Sequence, residues 1–300
     1  MTAKPALSVI VPTYQGASKV MNTLSSLERQ RLRDFEVIVV IDGSTDNTQQ
    51  VIEEATFSFP LHVCVQLNKG RAGARNAGVK EARADTLVFF DDDLVFGDDV
   101  LAQYHALANE RHPIVVGALY AVPPSGPDEF FDYARYLDNK WVSGITQASR
   151  SVLKHPYLTA ANCMLSLDTF RQLGGFDERL PDAEDFDLAV KAFEKNIPIL
   201  LDKNIQAGHH IQPDFRTYAN RLVQYQKAQS TLRAVSPAAA RYTAARVRRN
   251  RTKKTLYHLL SGQVWISLID KNAFRFLPRK ARFRIYDLLL TAYAVTRTTT

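Results

Sequence analysis

Within residues 6–90 four short apolar runs, at 6–11, 35–41, 61–67 and 86–90, alternate with stretches of helical spacing. The second run is almost uninterrupted and β-branched, the pattern of a strand covered on both faces. The stretches between the runs read as helices over 18–30, with Val20, Leu24 and Leu27 on one side, over 46–55 and over 72–84. Strand, helix and strand in repeated succession predict parallel pairing through right-handed crossovers. The chain is thereby constrained to an α/β architecture with a mostly parallel central sheet. Such a sheet presents its ligand-binding side chains just beyond the C-terminal ends of its strands.

Three groups of carboxylates fall at such ends or at the start of a helix: Asp42 in Asp42-Gly43-Ser44-Thr45-Asp46, then Asp91-Asp92-Asp93, then Glu184-Asp185. The triad after Val88-Phe89-Phe90 is the most telling. Three consecutive carboxylates repel one another, and Mn2+ or Mg2+, which prefers oxygen ligands, relieves the repulsion while bridging to a diphosphate. In an extended segment Asp91 and Asp93 point to the same side, which assigns them to metal and diphosphate and leaves Asp92 nearer a ribose; a turn before Asp93 is the alternative. Asp42 can accept from the N–H of a uracil-like base, with Tyr14 of Pro12-Thr13-Tyr14 as a stacking face and backbone groups completing the contact. The Asp42 segment also has the composition of an ordinary turn and helix cap. After the third run, Asn68 to Gly78 combines small residues, which let a helix approach the sheet, with Lys69, Arg71 and Arg75, cations where phosphates could lie. The spacing is neither a dinucleotide fingerprint nor a Walker loop.

The stretch 97–213 is less regular, with a Pro/Gly loop at 122–127, an aromatic helical stretch at 129–141 and a polar loop at 143–150. Beyond Gly174-Gly175-Phe176-Asp177-Glu178 a helix is expected from near Asp182, with Phe186, Ala189, Val190 and Phe193 on one face, ending before Pro198. A strand-like run at 198–207 leads into His209 and His210. Cys64 and Cys163 match neither a metal-ligand spacing nor a disulfide framework and read as buried reduced thiols. The net charge of +7 hides a division: residues 215–300 carry 18 Lys and Arg against Asp270 and Asp287, a net of +16, which leaves −9 on residues 1–214.

The order and spacing of these motifs resemble glycosyltransferase family 2. The resemblance rests on Val9-Ile10-Val11-Pro12-Thr13-Tyr14, Asp42-Gly43-Ser44-Thr45-Asp46, the Gly70 to Gly78 segment, Asp91-Asp92-Asp93, Gly174-Gly175-Phe176-Asp177-Glu178 and Glu184-Asp185-Phe186-Asp187-Leu188, and covers residues 6–212. It implies a GT-A-type nucleotide-binding fold and an inverting transfer from a nucleotide-sugar donor with Mn2+ or Mg2+ as cofactor. By position it implies Asp185 as the general base with Glu184 beside it, His209 as a metal or diphosphate contact, and Asn162 near the donor sugar. A helix N-terminus favours the charged form of Asp, so Asp185 is expected to be ionised at neutral pH. Gln15 stands where family members commonly carry Asn, and Leu94 rather than a further acid follows Asp93.

The expected organisation is a GT-A domain over 1–213, with a nucleotide-binding half at 1–97 and an acceptor half at 98–213, followed by a basic helical region at 214–300. UDP-sugar is the expected donor because Asp42 suits a uracil edge, and a glycan or lipid-linked hydroxyl, as in surface polysaccharide synthesis, is the expected acceptor. Basic and amphipathic together, the C-terminal region is expected to lie on an anionic membrane surface, with a homodimer interface as the rival. Without a nucleic-acid motif, nucleic acid is not an expected partner. With no leader pattern and no apolar run of spanning length, the expected location is the cytoplasm, peripheral on the inner face of the membrane. Two rivals remain: a sugar-1-phosphate nucleotidyltransferase, which has a Gly-rich opening that Val11-Pro12-Thr13-Tyr14-Gln15-Gly16 lacks, and an inactive nucleotide-sugar-binding scaffold.

Overall fold

The computed structural model describes residues 4–123, 126, 128–145, 148–209, 214–243 and 251–297. The chain divides into two compact units, residues 1–120 with 142–210, and residues 121–141 with 211–300. In chain order the elements up to the last strand are β1 (Leu7–Thr13), α1 (Val20–Glu28), β2 (Phe35–Asp42), α2 (Thr48–Glu53), β3 (Leu61–Gln66), α3 (Gly70–Glu81), β4 (Thr86–Phe90), β5 (Leu94–Phe96), α4 (Val100–Asn109), β6 (Ile114–Ala121), α5 (Glu129–Ile145), β7 (Arg150–Val152), β8 (Asn162–Ser166), α6 (Leu167–Leu173), α7 (Glu184–Glu194) and β9 (Ile199–His209). They are followed by α8 (Phe215–Val235), α9 (Arg251–Leu260), α10 (Gln263–Asp270) and α11 (Arg279–Arg297).

The nine described strands form one sheet in the order β3-β2-β1-β4-β8-β6-β9-β5, with β7 beside β9. The expected parallel pairing holds from β3 to β4. Beyond β4 the direction changes: β4 with β8, β6 with β8, and β5 and β7 with β9 are all antiparallel. The covered strand β2 is buried along its whole length, as its continuous apolar sequence requires. One face of the sheet packs with α1 and α4 through Val9, Val39, Leu24 and Tyr104. The other packs with α3, α6 and α7 through Ile10, Val40, Phe170 and Leu188. A Cβ on Gly78 would come within 2.5 Å of Ile10 Cγ2, so the small residue in α3 sets how closely helix and sheet approach.

The second unit has an aromatic core in which Phe130, Tyr133, Phe215, Phe283 and Tyr286 are all buried. That face draws 121–141 away from the acceptor half in which the sequence reading had placed it. Arg282 clasps Glu129 through Nε at 2.8 Å and Nη2 at 3.0 Å, and the Tyr133 hydroxyl donates to Asp287 at 2.7 Å. Leu256, Leu260, Val264 and Leu268 recur every four residues in the sequence, as along one helix face, but they do not belong to one helix, because α9 and α10 are separated at Ser261-Gly262. Leu260 packs on the core, whereas Leu256 and Val264 are exposed. No described helix is long and apolar enough to cross a membrane.

Candidate active site

The acid triad does not continue β4 as an extended segment. It turns at Asp92 and Asp93 before β5 begins. Thr23 of α1 fastens this turn from below, donating to the Asp91 carbonyl at 2.9 Å and accepting from the Leu94 amide at 2.9 Å. Asp92 is 5% exposed and faces inward, where its two oxygens meet the Thr13 hydroxyl at 2.6 Å and the Lys19 ammonium at 2.9 Å. Burial pushes its carboxyl upward while Lys19 opposes the shift. The ribose-facing position expected for Asp92 is therefore taken up by contacts within the chain. Thr13, Lys19 and Thr23 escaped the sequence reading: a polar residue at a strand end, just before a helix or within one carries no mark of what it binds.

Asp91 and Asp93 are held by different partners. Arg75 Nη2 lies 2.8 Å from Asp91 Oδ1, and His209 Nε2 lies 3.0 Å from Asp93 Oδ2. Antiparallel pairing of β5 with β9 brings Leu94 opposite His209 and so delivers the imidazole to the turn. Burial opposes ionisation of Asp93, but the His209 hydrogen bond and charge hold its carboxyl below the usual value. The hydrogen bond to Asp93 in turn raises His209, with a further contribution from Asp91. Asp93 Oδ1 is buried without a hydrogen-bond partner among the described residues. An orphaned carboxylate oxygen beside a second carboxylate and an imidazole is a donor set that fits Mn2+ or Mg2+. His210 lies outside the described residues.

Arg75 departs most from its expected role. It is 3% exposed and spans from Asp91 to Glu184 Oε1, 2.5 Å from Nη1, with its guanidinium carbon 5.6 Å from the centre of the Phe176 ring. It is an internal tie between the acid turn and the start of α7, and is not presented to a diphosphate. Beside Glu184, burial and then the Glu184 charge push Asp185 up to about 7, against the pull of Arg75. Burial and the Glu184 charge thus work against the ionised form that the helix N-terminus favours. Asp187 is spent on Lys191 at 2.7 Å.

At the other end of the cluster Asp42 is 4% exposed, its Oδ1 accepting from Gln66 Nε2 at 2.6 Å and the Lys69 amide at 2.8 Å. The Lys69 side chain is exposed, Pro12 is half-buried and Tyr14 is 52% exposed. Gln15 reaches the Asp42 loop, accepting at Oε1 from the Thr45 amide at 2.9 Å and the Asp46 amide at 3.1 Å. Asn162 also departs from its expected role. It is 0% exposed, accepts from the Tyr104 hydroxyl at 2.7 Å and donates to the Ala118 and Ile205 carbonyls at 3.0 and 3.3 Å. Its amide joins α4, β6, β8 and β9 and has nothing left for a sugar.

Comparison with known proteins gives the family. Residues 8–174 match the model of Glycosyl transferase family 2. Validoxylamine A glucosyltransferase of Streptomyces hygroscopicus subsp. jinggangensis is 30% identical over 238 residues, 68% of this chain and 56% of that relative. An uncharacterized glycosyltransferase of Haemophilus influenzae is 29% identical over 202 residues, covering 63% of this chain and 62% of its own length. The chain thus spans little more than half of the curated relatives it matches in this way. Among solved structures, the mannosyltransferase PcManGT from Pyrobaculum calidifontis, in complex with GDP-Man and Mn2+, superposes with a TM-score of 0.65 at 19% identity, over 99% of this chain and 88% of that one. TarS 1-349 of S. aureus in complex with UDP-GlcNAc gives 0.57 at 18% identity, over 98% and 92%. With its mixed sheet, its clustered acids and more than half of its length matched to the family model, the chain belongs to glycosyltransferase family 2 and has the GT-A fold.

Proposed function

We propose that this chain is an inverting glycosyltransferase that moves a sugar from a nucleotide-sugar, with UDP-sugar as the donor, to a hydroxyl of a glycan or lipid-linked acceptor. The observation that carries the reading is the tie through Arg75, which joins the acid turn at Asp91 to Glu184 and Asp185 at the head of α7. One fold feature thereby positions both a place for a diphosphate and a base. The neighbouring proteins with UDP-GlcNAc and with GDP-Man support a nucleotide-sugar as the class of donor.

In this mechanism Asp42 and Tyr14 receive the base, and Asp91, Asp93 and His209 would hold Mn2+ or Mg2+. The cation, when bound, neutralises charge on the departing diphosphate. Asp185 takes the proton of the acceptor hydroxyl as its oxygen bonds to the anomeric carbon and the bond to the diphosphate oxygen breaks on the opposite face. A carboxyl raised to about 7 is matched to that task, since a base works best when its pKa is near the working pH. Asp92, locked by Thr13 and Lys19, fixes the turn from which its two neighbours project.

The test is release of UDP, GDP or dTDP from a panel of sugar nucleotides with Mn2+, Mg2+ or EDTA. Release from one donor that depends on the metal and is lost in Asp93→Ala is the expected result. Pyrophosphate release from an NTP and a sugar phosphate would favour the nucleotidyltransferase reading, and no binding of any donor would favour the scaffold. The acceptor surface and attachment to an anionic membrane are further parts of the proposal; the basic charge of residues 215–300 supports the latter.

A further inference from the structure

A second set of metal-binding chemistry lies on the terminal strand β3. The register pairs His62 with Ile38 and Cys64 with Val40, so both side chains occupy the sheet face against which α3 packs. Glu81 is the last residue of α3. One ligand atom from each of His62, Cys64 and Glu81 lies within 4.8 Å of the others, and His62 Nδ1 is 3.8 Å from Glu81 Oε2. We propose that these three side chains form a site for Zn2+ or a cation of the same borderline class, separate from the active-site carboxylates.

The donor set decides the class of cation. Thiolate, imidazole and carboxylate together are a poor match for Mg2+ and a good one for Zn2+. Tetrahedral Zn2+ with bonds of about 2.0–2.3 Å holds its ligand atoms roughly 3.3–3.8 Å apart, within reach of small side-chain rotations here. The side chains of His62 and Glu81 are 55% and 47% exposed, so a cation has a path from solvent. Three protein ligands leave the fourth position to water. Burial, then the Glu81 charge, raises the Cys64 thiol, which is therefore protonated without a cation. Binding exchanges that proton for the metal: the S–H bond is lost, an S–Zn bond forms and H+ leaves, with no change of oxidation state. The nearby Glu81 charge, unfavourable to a bare thiolate, then becomes a ligand to the same dication. Linear spacing hid the group, because Glu81 is separated from Cys64 by the length of α3.

Sulfur distinguishes this site from the active site, whose expected ligands are Asp91, Asp93 and His209. The other cysteine, Cys163, is 0% exposed. The full chain, without any sugar nucleotide, is titrated with Co2+ as a spectroscopic substitute for Zn2+. A thiolate-to-Co2+ charge-transfer band is expected, lost in Cys64→Ser, His62→Ala and Glu81→Gln and retained in Asp93→Ala. Zn2+ should abolish the band and protect Cys64 from alkylation, read by peptide mass. No band, a band that survives Cys64→Ser, or one unaltered in both His62→Ala and Glu81→Gln would overturn the proposal. None of these readouts depends on the chain being a transferase.

Discussion

Asp185 is placed where activity and stability oppose each other. Its carboxyl is raised from 3.8 to about 7, so the folded chain holds a proton that the unfolded chain releases. The stability of the neutral form is complete below about pH 4 and is lost as pH rises through about 7. Asp185→Asn should therefore abolish transfer while leaving nucleotide binding, and should stabilise the fold by ~1–3 kcal/mol at pH 8 with little gain near pH 4. Calorimetry at the two pH values checks the sign. In wild type the transfer rate should climb with pH through the same range, as the base ionises. Asn162 gives the opposite pattern. Asn162→Ala would leave the Tyr104 hydroxyl and two carbonyls without their partner, at a cost of ~2–4 kcal/mol, with donor affinity unchanged in the folded fraction. A denaturant midpoint compared with a donor Kd separates the two effects. The roles of these residues were legible to different degrees. Asp185 could be located from its motif and Glu184 is visible beside it, but its charge state depends first on burial, which the sequence does not show. Asn162 looks like a ligand contact until its three partners, from distant segments, are seen.

Among the elements, α3 shows how a helix can be read correctly and still withhold its function. Small residues predicted its close approach to the sheet, and the Gly78 contact with Ile10 is the result. Gly78→Ala should cost ~1–3 kcal/mol by pushing α3 outward, measurable as a lower thermal midpoint, and should slow transfer because Arg75 sits on the same helix. The strands β1 to β4 were visible because each has its own apolar run between helical spacings. The three-residue strands β5 and β7 have no such pattern, and they exist because β9 gives them backbone partners. The turn at Asp92 and Asp93 was likewise invisible, since its cause is the Thr23 staple from a helix nearly seventy positions earlier. His209 was reachable from the alternation of Ile205, Ala207 and His209, but its partner Asp93 follows only from the pairing of β5 with β9.

At the scale of the whole molecule, charge is distributed by unit. The two acids of residues 215–300 are both committed inside the second unit, Asp287 to Tyr133 and Asp270 to the Phe215 amide at 2.9 Å. Most of its Lys and Arg therefore have no acid within 215–300 to balance them, and Leu259, Val264 and Phe276 are exposed at 71%, 62% and 77%. The chain should sediment with anionic vesicles and not with neutral ones, and should be released by salt on the order of 0.5 M, where the screening length falls to about 4 Å. Binding that is insensitive to lipid charge would remove the electrostatic reading. The helical, basic character of this unit was plain in the sequence, whereas its recruitment of 121–141 depended on an aromatic core drawn from three separate stretches of chain.

The acid turn carries its own counter-ions. Lys19 at Asp92 and Arg75 at Asp91 are covalently part of the chain, so much of the repulsion among the three carboxylates is relieved before any cation arrives. If transfer depends on a cation as proposed, chelation should silence this protein without unravelling it, and activity should return when the cation is restored.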